Sequence, residues 1–196
     1  MENTEPDMDE PATPIHNEEK FIIFISCIKQ LITWCHCPEC GSFDIISYHV
    51  VKGCLLTITI SCRSCSSQVN CNSQRYIGGT PAGNILLSAS ILFAGATAEK
   101  VLCVLQNMSV AAISAHTFFR HQCHVVLPVV QRLWTTRQMW VLAALQAEKR
   151  NLVLGSNCSA NSPGHSARFG SYTMVELHAN AVIDIQLVQV NIYNFM

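Results

Sequence analysis

The chain lacks the opening of a secreted protein. Its first twenty residues hold seven acids (Glu2, Glu5, Asp7, Asp9, Glu10, Glu18, Glu19) and one base, Lys20, with no basic segment leading into an apolar one. A disulfide framework for the eleven cysteines is therefore not expected, and their odd number argues the same way. The nucleus is the expected compartment, with the cytoplasm as alternative. Other absences narrow the chemistry. Gly78-Gly79-Thr80-Pro81-Ala82-Gly83 precedes a helical pattern, but no Gly-Lys-Ser/Thr follows, so it reads as a connecting loop and not a phosphate cradle. Ser162 and Ser166 lie near His165 with no carboxylate nearby to orient the imidazole, too ordinary an arrangement to support a hydrolytic triad.

Charge is missing altogether from Ile77 to Ala98 and from Val101 to Phe119, and each run is long enough to cross a bilayer. The first is broken by Gly78, Gly79, Pro81, Gly83 and Asn84. The second carries Gln106, Asn107, Ser109, Ser114 and His116, and only Glu99 and Lys100 separate the two. Buried helices of a soluble domain are the preferred reading, a pair of membrane spans the alternative.

What is present begins with two cysteine pairs, Cys37-Pro38-Glu39-Cys40 and Cys62-Arg63-Ser64-Cys65. A two-residue gap lets both thiolates of a tight turn face one ion, and four such sulfurs make a closed tetrahedral site for structural Zn²⁺. The 21 residues between the pairs read as two strands, Phe43–Tyr48 and Leu55–Ile60, turning at Gly53. Knuckle, hairpin and knuckle over residues 37–76 predict a zinc ribbon. The competing reading is four ordinary buried cysteines, and Cys35, His36, Cys54 and Cys71 leave the ligand set open.

The rest divides by composition and period. Residues 1–20, with Pro6, Pro11 and Pro14, are an acidic tail unable to fold alone. Beyond it the chain carries eleven basic residues against six acidic ones, a weak indication of a polyanion partner. Residues 21–36 predict an apolar helix or linker. Residues 77–150 predict helices: one opening at Pro81, one over Ala98–Gln106 capped by Thr97, a turn at Asn107-Met108-Ser109, and one from Val110 to about His124. The last two have the outline of a helix-turn-helix, although helical hairpins often bind nothing. Pro128 is expected to end this unit. A long helix, Val129–Arg150, follows, with Leu133, Trp134, Trp140, Val141 and Leu145 as its apolar side chains. Arg120, His121, His124, Arg132, Arg137, Lys149 and Arg150 are the candidate duplex-DNA contacts. Residues 151–196 predict a short strand at 151–154, a polar loop, and strands over Arg168–Leu177 and Ala181–Val190, with Ile183, Ile185 and Leu187 on a largely buried face.

The runs Pro81–Phe93, Thr117–Gln122, Ser162–Met174 and Asp184–Gln189 resemble a family of transposase-derived proteins of animal genomes, the Kolobok-like group, in register from about Cys37 to Gln189. The resemblance implies a zinc-binding module, a helical DNA-contacting region and an RNase H-like domain whose carboxylates hold two divalent metals. An α+β chain with the first three strands of such a domain, its remainder missing, is expected. Where the family has two aspartates this chain has Asn157 and Asn161, and an amide brings no negative charge to Mg²⁺. A catalytically inactive relic follows, zinc-binding and DNA-binding, and able to form homo-oligomers or mixed oligomers with intact relatives. The alternatives are a protein-interaction module or a fragment without function.

Overall fold

The computed structural model describes residues 13–160 and 169–189. Two compact units divide the chain, one running to Leu127 and the other starting at Pro128. The architecture is mixed α+β, with three small antiparallel sheets.

The first unit opens with helix α1 (Ile25–Ile32) and a three-stranded meander, β1 (Ile45–Lys52), β2 (Leu55–Cys62) and β3 (Gln68–Asn72), in the order β1-β2-β3. Only β1 and β2 were legible as strands. β3 is exposed at every position, and the alternation of Gln68–Asn72 rests on Val69 and Cys71 alone, too short a signal to mark a strand. Gly53 and Cys54 form the two-residue turn between β1 and β2, with φ of +63° at Gly53. The glycine-rich run is a second hairpin. Strands β4 (Tyr76–Ile77) and β5 (Thr80–Pro81) enclose Gly78-Gly79, whose φ values of +51° and +79° give the turn with two left-handed residues.

Helix α2 (Ala82–Phe93) starts directly after Pro81. It ends in a left-handed Gly95, with the Ala96 N–H reaching back to Ile91 O at 3.1 Å. Helix α3 (Ala98–Asn107) ends the same way: Ser109 takes φ of +56° and the Val110 N–H bonds Leu105 O at 2.8 Å. Thr97 sits at the N-cap of α3, but its side chain makes no capping bond. The next helix starts later than Val110. Ser114 accepts the Thr117 N–H at 3.2 Å and so sets the start of α4 (Ala115–His121). The link between α3 and α4 therefore runs from Met108 to Ser114, longer than the expected three-residue turn. Ile91, Ala98, Ile113 and Phe118 form the core of these helices, flanked by Leu87, Val101 and Leu102.

A π-helical turn, Gln122–Val126, follows α4 and leads into α5 (Leu127–Glu148). Pro128 marks the end of the first unit, as expected, and is the second residue of α5, just after the π-helical turn.

In the second unit, β6 (Leu154–Ala160), β7 (Phe169–Glu176) and β8 (Ala181–Gln189) form an antiparallel meander in that order. Gly155–Ala160, expected as loop, is strand: each residue pairs with β7, from Gly155 opposite Val175 to Ala160 opposite Gly170. The expected buried face of β8 is confined to Ile183, while Ile185 and Leu187 are exposed. On α5, Leu145 is buried and Leu133 and Trp140 are exposed. Of the acidic tail, the first twelve residues lie outside the described part. Its end is anchored, with Glu18 in an ion pair with Arg75 at 2.6 Å. Among the described residues, no helix is long and apolar enough to cross a membrane.

Candidate metal centre

Both cysteine pairs sit in turns of the same construction. In the first, the Cys37 N–H bonds Ser42 O at 2.9 Å and the Gly41 N–H bonds Cys37 O at 2.8 Å. In the second, Cys62 N–H bonds Ser67 O at 2.9 Å and Ser66 N–H bonds Cys62 O at 3.0 Å. The residue after the second cysteine is left-handed in each, Gly41 at φ +69° and Ser66 at +62°. Glycine takes that conformation freely, whereas a side chain costs about 1 kcal/mol there.

The register of β1 on β2 brings the two turns together. Ile45 lies opposite Cys62, so the chain leaves the first turn into β1 and enters the second from β2. The Arg63 N–H bonds Asp44 O at 3.0 Å, and the Ser42 and Ser64 hydroxyls meet at 2.9 Å. All four sulfurs then lie within 4.8 Å of one another. The closest approaches between the turns are Cys37 Sγ to Cys65 Sγ at 3.5 Å and Cys40 Sγ to Cys62 Sγ at 3.6 Å. Four thiolates about 2.3 Å from a tetrahedral Zn²⁺ would be about 3.8 Å apart, so the cluster already has the dimensions of a four-sulfur metal site. Cys37 and Cys62 are buried, Cys40 and Cys65 exposed.

The electrostatics favour a cation. The Cys65 N–H, with Ser64 N–H and the neighbouring sulfurs, brings the Cys62 thiol down to about 6 against some opposition from burial. The Ser67 N–H favours a Cys65 thiolate, yet the nearby sulfurs, Cys37 first, and burial together push that thiol to about 12. The Cys62 thiolate forms readily, and the Cys65 thiol beside it keeps its proton. A divalent cation among them removes that conflict.

The surplus ligands separate from this group. Among the described residues, the metal-competent cluster is Cys37, Cys40, Cys62 and Cys65. His36 instead packs its ring against Phe43, centroids 5.8 Å apart. Cys71 lies on β3 opposite Ile58, and Cys54 is at the hairpin tip, where burial raises its thiol.

The candidate DNA-binding side chains fall on both units. Arg120 and His124 in the first, and Arg132, Arg137 and Lys149 in the second, are exposed. His121 and Arg150 are committed internally. The His121 ring is buried and meets Ser88 Oγ at 3.0 Å. Arg150 grips the buried Glu176 carboxylate with two bonds of 2.9 and 3.1 Å and also pairs with Glu148. Asn157 lies in β6 opposite Thr173, and Asn161 is outside the described residues.

Two polar arrangements were invisible in the sequence. Asn84, Ser88 and His121 form a buried chain in which Ser88 donates to Asn84 O at 3.0 Å, leaving its lone pairs for the imidazole Nδ1–H. Glu176 also accepts the Ala179 N–H at 2.6 Å and the Val153 N–H at 3.2 Å. The helical spacing of Asn84 and Ser88 put them on one face, but nothing marked that face as buried. Comparison of the chain with family models, with curated proteins and with solved structures gave no match.

Proposed function

We propose that this chain is a zinc-binding, DNA-binding protein derived from a transposase and no longer catalytic. The convergence of the Cys37, Cys40, Cys62 and Cys65 sulfurs within 4.8 Å carries the zinc part of this reading. Soft thiolates in a closed set of four suit Zn²⁺ and leave no position for a substrate, so the metal is structural. In this reading the β1-β2-β3 meander with its two cysteine turns is a zinc ribbon.

Exposed cations support the DNA part: Arg120 and His124 on one unit, Arg132, Arg137 and Lys149 on the other. We read the β6-β7-β8 meander as part of an RNase H-like fold, on the resemblance of Ser162–Met174 and Asp184–Gln189 to that family. Asn157 stands where that family carries an aspartate, which supports loss of the metal-dependent phosphodiester chemistry. The nucleus is the proposed location.

A protein-interaction role is the second reading. It is favoured by large apolar side chains left exposed, among them Phe21, Phe24 and Trp34 before the cysteine turns and Trp140 on α5. Fluorescence anisotropy of the zinc-loaded chain with duplex DNA, repeated over a salt series, separates the two. A binding constant falling linearly with salt on logarithmic axes supports DNA binding. Zinc-loaded chain that leaves the duplex unbound at low salt supports the interaction reading.

A further inference from the structure

The four cysteines differ in exposure, and the difference follows the approaches between the turns. Cys40 is exposed and touches buried Cys62 at 3.6 Å; Cys65 is exposed and touches buried Cys37 at 3.5 Å. Each pair thus joins an exposed cysteine to a buried one, and each pair spans the two turns. A disulfide needs about 2.05 Å between sulfurs, so closing either pair takes a movement of roughly 1.5 Å.

We propose that this cluster is an oxidation site, in which a peroxide converts the four thiolates into two disulfides crossing between the turns, Cys37–Cys65 and Cys40–Cys62, and ejects the metal. In each pair the exposed thiolate attacks one peroxide oxygen. The O–O bond breaks, hydroxide leaves, and the sulfur becomes a sulfenic acid. The buried thiolate then attacks that sulfur, forms the S–S bond and expels a second hydroxide. Two thiolates lose two electrons, and one peroxide gains them. Two peroxides complete both pairs, and Zn²⁺ leaves because no anionic sulfur remains to hold it. Metal ejection rests on the zinc reading above, whereas the pairing rests on the sulfur geometry alone.

The sequence makes the pairing directly readable. Glu39 lies between Cys37 and Cys40, and Arg63 lies between Cys62 and Cys65. Cleavage after Glu39 and after Lys29, Lys52, Arg63 and Arg75 puts all four cysteines on separate peptides. The full chain would be loaded with zinc, its zinc content measured, then treated with hydrogen peroxide beside a chromogenic zinc indicator. Remaining thiols would be alkylated before cleavage under non-reducing conditions, with fragment-ion mass spectrometry to distinguish Cys37 from Cys35, Cys62 from Cys54 and Cys65 from Cys71. The expected result is release of the bound zinc together with Cys37–Cys65 and Cys40–Cys62 cross-links. Cross-links within a turn, Cys37–Cys40 or Cys62–Cys65, would overturn the proposal, as would sulfinic acids with no cross-link. Retained zinc after two equivalents of peroxide would overturn it too. A chain that binds no zinc at the start fails the zinc reading, and its cross-link map still decides the pairing.

Discussion

Gly53 and Asn84 fit together so closely that neither tolerates a larger neighbour. A Cβ on Gly53 would sit 2.6 Å from Asn84 Oδ1, the atom that accepts the Cys54 N–H at 2.7 Å. Asn84 is buried on α2, so this side chain ties the tip of the β1–β2 hairpin to the helices of the same unit. Gly53→Ala is expected to destabilise the first unit by about 1–3 kcal/mol, from left-handed strain and the displaced amide. In chemical denaturation, adding Asn84→Ala should cost less in that variant than in the wild type, because the clash is already gone. Strictly additive effects would show that the two residues do not interact.

Glu176 gives the second unit a dependence on acid. The Arg150 guanidinium above all, then the Ala179 and Val153 N–H groups, hold this carboxyl far below the ordinary 4.5. Its contribution is complete above that value, because the unfolded carboxyl is then ionised too, and it drains away as pH falls below 4.5. The stability gap between wild type and Glu176→Gln should therefore shrink between pH 5 and pH 3 in urea titrations. A gap that stays constant over that interval would remove the ion pair as its source.

His121 works in the same direction at higher pH. Burial, reinforced by the Arg120 charge and opposed by the Asn84 backbone, lowers its pKa below the ordinary 6.5. The folded ring is neutral while the unfolded ring takes up a proton, so stability is full above pH 6.5 and declines as pH falls below it. Titration of the ring protons by NMR should give a midpoint below 6.5. A midpoint at or above that value would contradict the buried Ser88 pairing.

The sequence revealed chemistry with short, directional signatures and missed what depends on tertiary burial. The C-x-x-C spacing located Cys37, Cys40, Cys62 and Cys65, and Gly53 located the hairpin turn. Pro81 located the start of α2. β3 was missed because the alternation of Gln68–Asn72 rests on Val69 and Cys71 alone and buries neither, and most of β6 because Gly155–Ala160 is held by backbone pairing without an apolar alternation to betray it. His121 and Arg150 read as solvent-facing bases because a sequence does not show that Ser88 and Glu176 wait inside for them.

DNA binding predicts an effect spread over both units. Arg120→Ala combined with Lys149→Ala should weaken binding to duplexes of any sequence. The salt slope should flatten by about 1 for each phosphate that is no longer neutralised. An unchanged affinity and slope would remove these two side chains from the interface.

Metal content tests the central claim most directly. Purified wild type and Cys62→Ser would be compared for zinc per chain by elemental mass spectrometry after exhaustive dialysis, with far-ultraviolet circular dichroism recorded as zinc is added back. The wild type should hold one zinc per chain, and the variant should lose it together with the order of the β1-β2-β3 meander, because metal binding and folding are coupled at such sites. Equal zinc in the two proteins would show that these four sulfurs do not form the metal site.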